Sequence, residues 1–145
     1  MFSTILFPVD QSRESREAAD VVASFVQENH SDRLVLLSVL EQEPRSNTKG
    51  ESPRGDGHSE AMGSHDAIVK LLATAKTLFD DKGIVAEVQE REGKPAFAIC
   101  DMADEIHADL IIMGCRGIGL TQEGASESVT NRVINLAPCP VLVVP

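Results

Sequence analysis

The chain has no tryptophan or tyrosine, and only five phenylalanines among 145 residues. The aromatic platforms on which single-stranded nucleic acid stacks are therefore missing. Basic residues are scarce as well: 13 Lys and Arg stand against 23 Asp and Glu, a formal net charge of −10. That balance repels a phosphate backbone and an anionic lipid surface, so neither nucleic acid nor a membrane is expected as a partner. No apolar run approaches the ~18 residues that read as a bilayer span. Met1 leads into the short run Ile5–Val9 without the basic front of a secretory leader, and the expectation is a cytoplasmic protein. Cys100, Cys115 and Cys139 are odd in number and lack a C-x-x-C pair, which points to reduced thiols rather than a disulfide frame. His30, His58, His65 and His107 show no metal-ligand spacing.

Several catalytic signatures are absent too. There is no G-x-x-x-x-G-K-[ST], no G-x-G-x-x-G after the first strand and no G-x-S-x-G elbow. The clustered acids of a receiver domain are missing, because Asp10 is followed by Gln11.

What is present is a regular alternation. The length suits one domain, residues 1–145, with an ordinary core. Ser3–Val9 and Leu34–Leu40 are nearly continuous apolar runs, as expected of strands buried on both faces. Between them Ser12 is a candidate N-cap for a helix running to about Glu28, with Ala18, Val22, Phe25 and Val26 on one stripe. A second helix is expected over Asp66–Asp81, carrying Ile68, Leu71, Leu72, Ala75, Leu78 and Phe79, with Gly83 at C′. Ile84–Arg91 reads as a strand whose polar second half suits a sheet edge. Pro95 opens a third helix with Ala96, Ile99, Cys100, Ala103 and Ile106 inward, so Cys100 reads as core and His107 as a helix-end residue. Glu41 to about His65 is different: Pro44, Gly50, Pro53, Gly55, Gly57 and Gly63 stand among polar residues, predicting a long mobile loop.

The C-terminal stretch organises the rest. Leu110–Met113 is a short apolar run that breaks at Gly114 into a segment holding Gly117, Gly119 and Gly124. A helix follows with Val129, Val133 and Leu136 on one face; Pro138 and Pro140 stop it, and Val141–Val144 form the last strand. A glycine loop opening onto a helix N-terminus is suited to anions, because free N–H groups and the positive helix end point the same way. Five buried strands alternating with four helices predict a doubly wound α/β fold with a parallel sheet covered on both faces. Ligands in such folds sit beyond the strand C-termini, where the winding reverses. If the first strand and Leu110–Met113 are neighbours, Asp10 and Gly114 both end at that crevice.

Three segments together resemble the universal stress protein family: Ile5-Leu6-Phe7-Pro8-Val9-Asp10-Gln11-Ser12, Ala108-Asp109-Leu110-Ile111-Ile112-Met113-Gly114, and Pro138-Cys139-Pro140-Val141-Leu142-Val143-Val144. The resemblance covers nearly the whole chain. It implies a Rossmann-like five-stranded parallel sheet of order 3-2-1-4-5, and a homodimer formed through the last strand. It implies further a stress-response regulator with an unidentified signalling partner, binding ATP or a related adenine nucleotide, with Mg²⁺ accompanying the phosphates. Carried over onto this sequence, Pro8, Asp10 and Val39 would line the adenine and ribose end beside Met113 and Gly114. Gly117, Ser128 and Val129 would meet the phosphates, with Arg116 as a nearby cation.

The nucleotide-binding branch of that family reads G-x2-G-x9-G-[ST] after its fourth strand. Gly114, Gly117 and Ser128 match, but Glu127 replaces the third glycine. A carboxylate aimed at a triphosphate would cost several kcal/mol at an effective dielectric near 20, whereas one turned outward at a helix start is favourable. Two alternatives therefore stand beside the nucleotide sensor: a nucleotide-free dimeric interaction protein, and a slow ATPase. Cys115, beside Arg116, adds a redox-sensing option through a lowered thiol pKa.

Overall fold

Alternate residues of the central strands bury into two separate apolar layers, one on each face of a single sheet. The computed structural model describes residues 2–10, 12–41, 57–114 and 129–145, the side chains of Glu14 and of 57–64 excepted. The elements are β1 (Thr4–Pro8), α1 (Arg13–Asn29), β2 (Arg33–Leu40), α2 (Gly57–Asp81), β3 (Ala86–Glu92), α3 (Pro95–Glu105), β4 (Leu110–Gly114), α4 (Val129–Leu136) and β5 (Val141–Val144). Every strand pairing is parallel and the order is β3-β2-β1-β4-β5, as the family resemblance implied. Ile5, Phe7, Val9, Leu34, Leu36, Leu110 and Ile112 face α1 and α2. Leu6, Val35, Leu37, Ile111 and Met113 face the opposite layer, under α3 and α4. This period-two division is why the strand sequences read as continuous apolar runs.

Helix ends are set by backbone geometry more than by charge. Ser12 caps α1, its Oγ accepting from the Ser15 N–H at 3.1 Å. At the end of α2 the Ile84 N–H donates to the Phe79 carbonyl at 2.9 Å and Gly83 takes φ +79°, a Schellman closure. Ile84 is therefore spent on ending the helix, and β3 starts at Ala86, later than the periodicity indicated. His30 and His107 end α1 and α3 with φ 52° each, occupying the left-handed position that glycine holds after α2. His107 does close its helix, as expected, and it does so through its backbone.

Two expectations need correction. Helix α2 begins at Gly57, so residues 57–65 of the predicted 41–65 loop are helical. Composition misled because polar residues extend an existing helix at little cost, propagation being far cheaper than nucleation. His65 Nδ1 lies 2.6 Å from Glu90 Oε1, which ties this part of the helix to β3. The rest of that loop, 42–56, lies outside the described residues. On α4, Leu136 is half exposed, while Thr130 and Val133 are buried and Ala137 packs beneath. The buried stripe is rotated away from the one drawn through Leu136. Among the described residues no helix is long and apolar enough to cross a membrane.

Candidate functional site

The winding of the sheet reverses between β1 and β4. β2 follows β1 on one side, over α1, while β4 lies on the other and is reached only after α3. The crevice predicted by the switch-point rule thus lies beyond the C-terminal ends of β1 and β4. Proline shapes it. β1 pairs with β2 from Thr4–Arg33 through Pro8–Leu37, but with β4 only at Ile5–Leu110 and Leu6–Ile111. Successive N–H groups of a strand point to opposite neighbours, and Val9 donates to the Leu37 carbonyl of β2 at 2.8 Å. The donor that Pro8 lacks would therefore have faced β4. Pro8 ends the β1–β4 ladder and lets the two strands part.

Those predicted residues that are described lie on the strands and helix around this fork. Val39 and Val129 are half-buried against the α3/α4 layer, and Met113 is buried within it. Pro8, two residues after Leu6, shares their side of the sheet. Asp10 follows β1 and is exposed. Its Oδ1 accepts from the Ser12 N–H at 2.8 Å and its own N–H donates to Ser15 Oγ at 3.2 Å. The carboxylate is thereby fixed at the start of α1, with Oδ2 making no hydrogen bond among the described residues. Gly114 ends β4, in register with Val144. Apolar side chains and an oriented carboxylate, both at strand C-terminal ends, are the chemistry that suits a flat heterocycle with an attached hydroxylated ring: apolar groups take ring faces and a carboxylate oxygen accepts from a hydroxyl. Arg116, Gly117 and Ser128, together with Cys115 and Glu127, lie outside the described residues.

One residue that the sequence reading passed over belongs here. Thr130, the second residue of α4, is 8% exposed, and its Oγ1 donates to the Gly114 carbonyl at 3.1 Å. Its signal was a polar residue three positions before Val133, on the apolar stripe of an amphipathic helix. The redox candidate Cys115 is outside the described residues; the other two cysteines are described. Cys100 is buried and Cys139 half-buried, and burial pushes both thiols up from their ordinary range, so neither is activated. Among the described residues no His, Cys, Asp and Glu cluster could hold a metal. A shallow groove of about 580 Å³ over Ala73, Thr74, Thr77, Leu78, Asp81 and Lys82 lies on the C-terminal half of α2, at the opposite end of the strands.

The sheet order, the fork and the three sequence segments all point to one family, and direct comparison agrees. The universal stress protein family model matches residues 1–145, and the chain belongs to that family. It is 54% identical over 145 residues to universal stress protein Sll1654 of Synechocystis, covering 100% of this chain and 87% of the relative. Among solved structures it is similar to the Archaeoglobus fulgidus universal stress protein in complex with dAMP (20% identity, TM-score 0.70, 100% of each chain). It is similar also to an Arabidopsis thaliana family member with AMP bound (18% identity, TM-score 0.70, 98% of this chain and 90% of that one). At these identities the likeness establishes the fold.

Proposed function

We propose that this universal stress protein is a cytosolic regulator that binds an adenine nucleotide, ATP or a relative, at the β1–β4 fork with little or no turnover. The observation carrying this reading is that Val39 and Val129 pack with Met113 in the layer on the α3/α4 side of the sheet, while Asp10, just past the C-terminal end of β1, has its carboxylate oriented by the Ser12 N–H. These residues fit the adenosine part. The apolar side chains cover the base, and Asp10 Oδ2 accepts from a ribose hydroxyl. Support comes also from the two proteins of the same fold described with dAMP and AMP. Gly114, Gly117, Arg116 and Ser128 would meet the phosphates, and Mg²⁺, where it accompanies a triphosphate, would ride on those phosphates. The sequence offers no arrangement of general base, metal ligands and finger arginine for efficient hydrolysis.

The same reading includes a homodimer. β5 is an edge strand whose four residues are all half-buried, leaving an apolar edge to be covered by a second copy. Calorimetric titration of AMP, ATP and GTP into nucleotide-stripped protein tests the site, with Gly114→Val alongside. Adenine-selective binding that is lost in Gly114→Val supports it. No binding by the wild type, restored in Glu127→Gly, favours instead a nucleotide-free interaction protein whose inherited site the glutamate closes.

A further inference from the structure

Asp10, Ser12 and Ser15 form a closed ring in which each backbone N–H donates to the side chain of another member. The Asp10 N–H donates to Ser15 Oγ at 3.2 Å, the Ser15 N–H to Ser12 Oγ at 3.1 Å, and the Ser12 N–H to Asp10 Oδ1 at 2.8 Å. A helix start needs less than this. In an ordinary capping box the third helical residue is Glu or Gln, and its side chain reaches back to the N-cap N–H. Ser15 holds that third position after the Ser12 cap, but here the N-cap N–H is taken by Asp10. The Ser15 hydroxyl, on a residue that is 9% exposed, reaches further back and holds the Asp10 amide. The cap is thus routed through the carboxylate assigned to the ligand.

We infer that Ser15 is a positioning residue for the nucleotide: by accepting from the Asp10 N–H, it fixes the backbone from which the carboxylate is presented to the ribose. The inference rests on the nucleotide reading above. Asp10 is exposed and just past the end of β1, so side-chain packing does little to hold it. The ring fixes it at two points, the main chain through Ser15 and Oδ1 through the Ser12 N–H. Oδ2, without a hydrogen bond among the described residues, is left for a ligand hydroxyl. Holding the acceptor in place before binding removes freedom that the ligand would otherwise have to freeze.

The test is calorimetric titration of AMP and of 2′,3′-dideoxy-AMP into the full chain, wild type and Ser15→Ala, with thermal unfolding of each protein. The dideoxy analogue lacks the hydroxyls that Asp10 would receive, so it reports binding without that contact. Loss of one neutral hydrogen bond corresponds to roughly three- to tenfold weaker binding. Ser15→Ala should weaken AMP by that factor and leave the analogue at its wild-type affinity, shrinking the preference for AMP. Ser15→Cys, similar in shape but a poor acceptor, serves should alanine not fold. Unchanged AMP affinity in Ser15→Ala, or equal weakening of both nucleotides, overturns the inference and leaves the site assignment standing. A wild type that binds AMP no better than the analogue removes the ribose role of Asp10 and the inference with it. Absence of AMP binding by the wild type overturns the nucleotide reading as well.

Discussion

Asp109 and Thr4 are joined reciprocally: the Asp109 N–H donates to the Thr4 carbonyl at 2.8 Å, and Asp109 Oδ2 accepts from the Thr4 N–H at 2.9 Å. The same oxygen accepts from the Ser3 N–H at 3.0 Å. This aspartate, inside the Ala108–Gly114 segment, is an anchor at the N-terminal end of the sheet, away from the fork. It sets the start of β1 against β4. Bonds to a charged acceptor contribute about 1.5–3 kcal/mol, so Asp109→Ala should lower stability by an amount of that order. AMP affinity should stay unchanged. Urea unfolding and AMP titration of the same variant check both halves.

The left-handed histidines give a second prediction. A side chain at φ 52° carries a steric cost that glycine does not, in part offset by glycine's greater freedom when unfolded. His30→Gly and His107→Gly should each stabilise by about 0.5–1 kcal/mol, read as a raised denaturation midpoint. Unchanged or lowered midpoints would mean that the imidazoles contribute more than their backbone strain costs.

Much of this was legible beforehand, and the parts that were not have identifiable reasons. Continuous apolar runs located β1, β2, β4 and β5, and helical spacing located the buried stripes of α1, α2 and α3. Those signals reflect burial, which period and hydrophobicity report directly. Strand order rests on which strands pair, a non-local matter, and was available only through the family resemblance. The start of α2 was missed because polar composition does not distinguish a loop from polar turns at the start of a long helix. The turns closed by His30 and His107 lack the glycine that marks such ends. Asp10, Pro8 and Gly114 could be named from the sequence, but not that Pro8 parts β1 from β4 or that Thr130 reaches Gly114. Those are relations between distant residues.

The β2–β3 edge carries a pH-dependent element. Arg33 Nε lies 3.0 Å from Glu87 Oε1 and Nη2 lies 2.8 Å from Oε2, and this hydrogen bonding holds the Glu87 carboxyl below its usual range. A lowered folded-state value means the pair contributes fully above the ordinary glutamate range near 4.3 and loses its contribution as pH falls through that lowered value. Both side chains are well exposed, so the contribution is about 1 kcal/mol or less and weakens with salt. Glu87→Gln should be less stable than the wild type at neutral pH, with the gap closing in acid. A gap that persists in acid would assign the effect to packing.

Thiol chemistry offers a fourth check. Burial raises both Cys100 and Cys139, which opposes thiolate formation at neutral pH. In a Cys115→Ser background the native protein should react with iodoacetamide well below the rate of a free cysteine, and reach that rate once unfolded. Fast labelling of the folded protein would contradict the burial described here.

The account turns on where an adenine nucleotide sits, and amide chemical-shift mapping during AMP titration tests that most directly. Asp10→Asn adds a control, since it keeps the Oδ1 acceptor for the Ser12 N–H while replacing the oxygen offered to the ribose. The prediction is saturable shifts at Asp10, Val39, Met113, Gly114 and Val129, weakened in Asp10→Asn with the fold intact. Shifts confined to the α2 groove over Ala73–Lys82, or none at all, would contradict it.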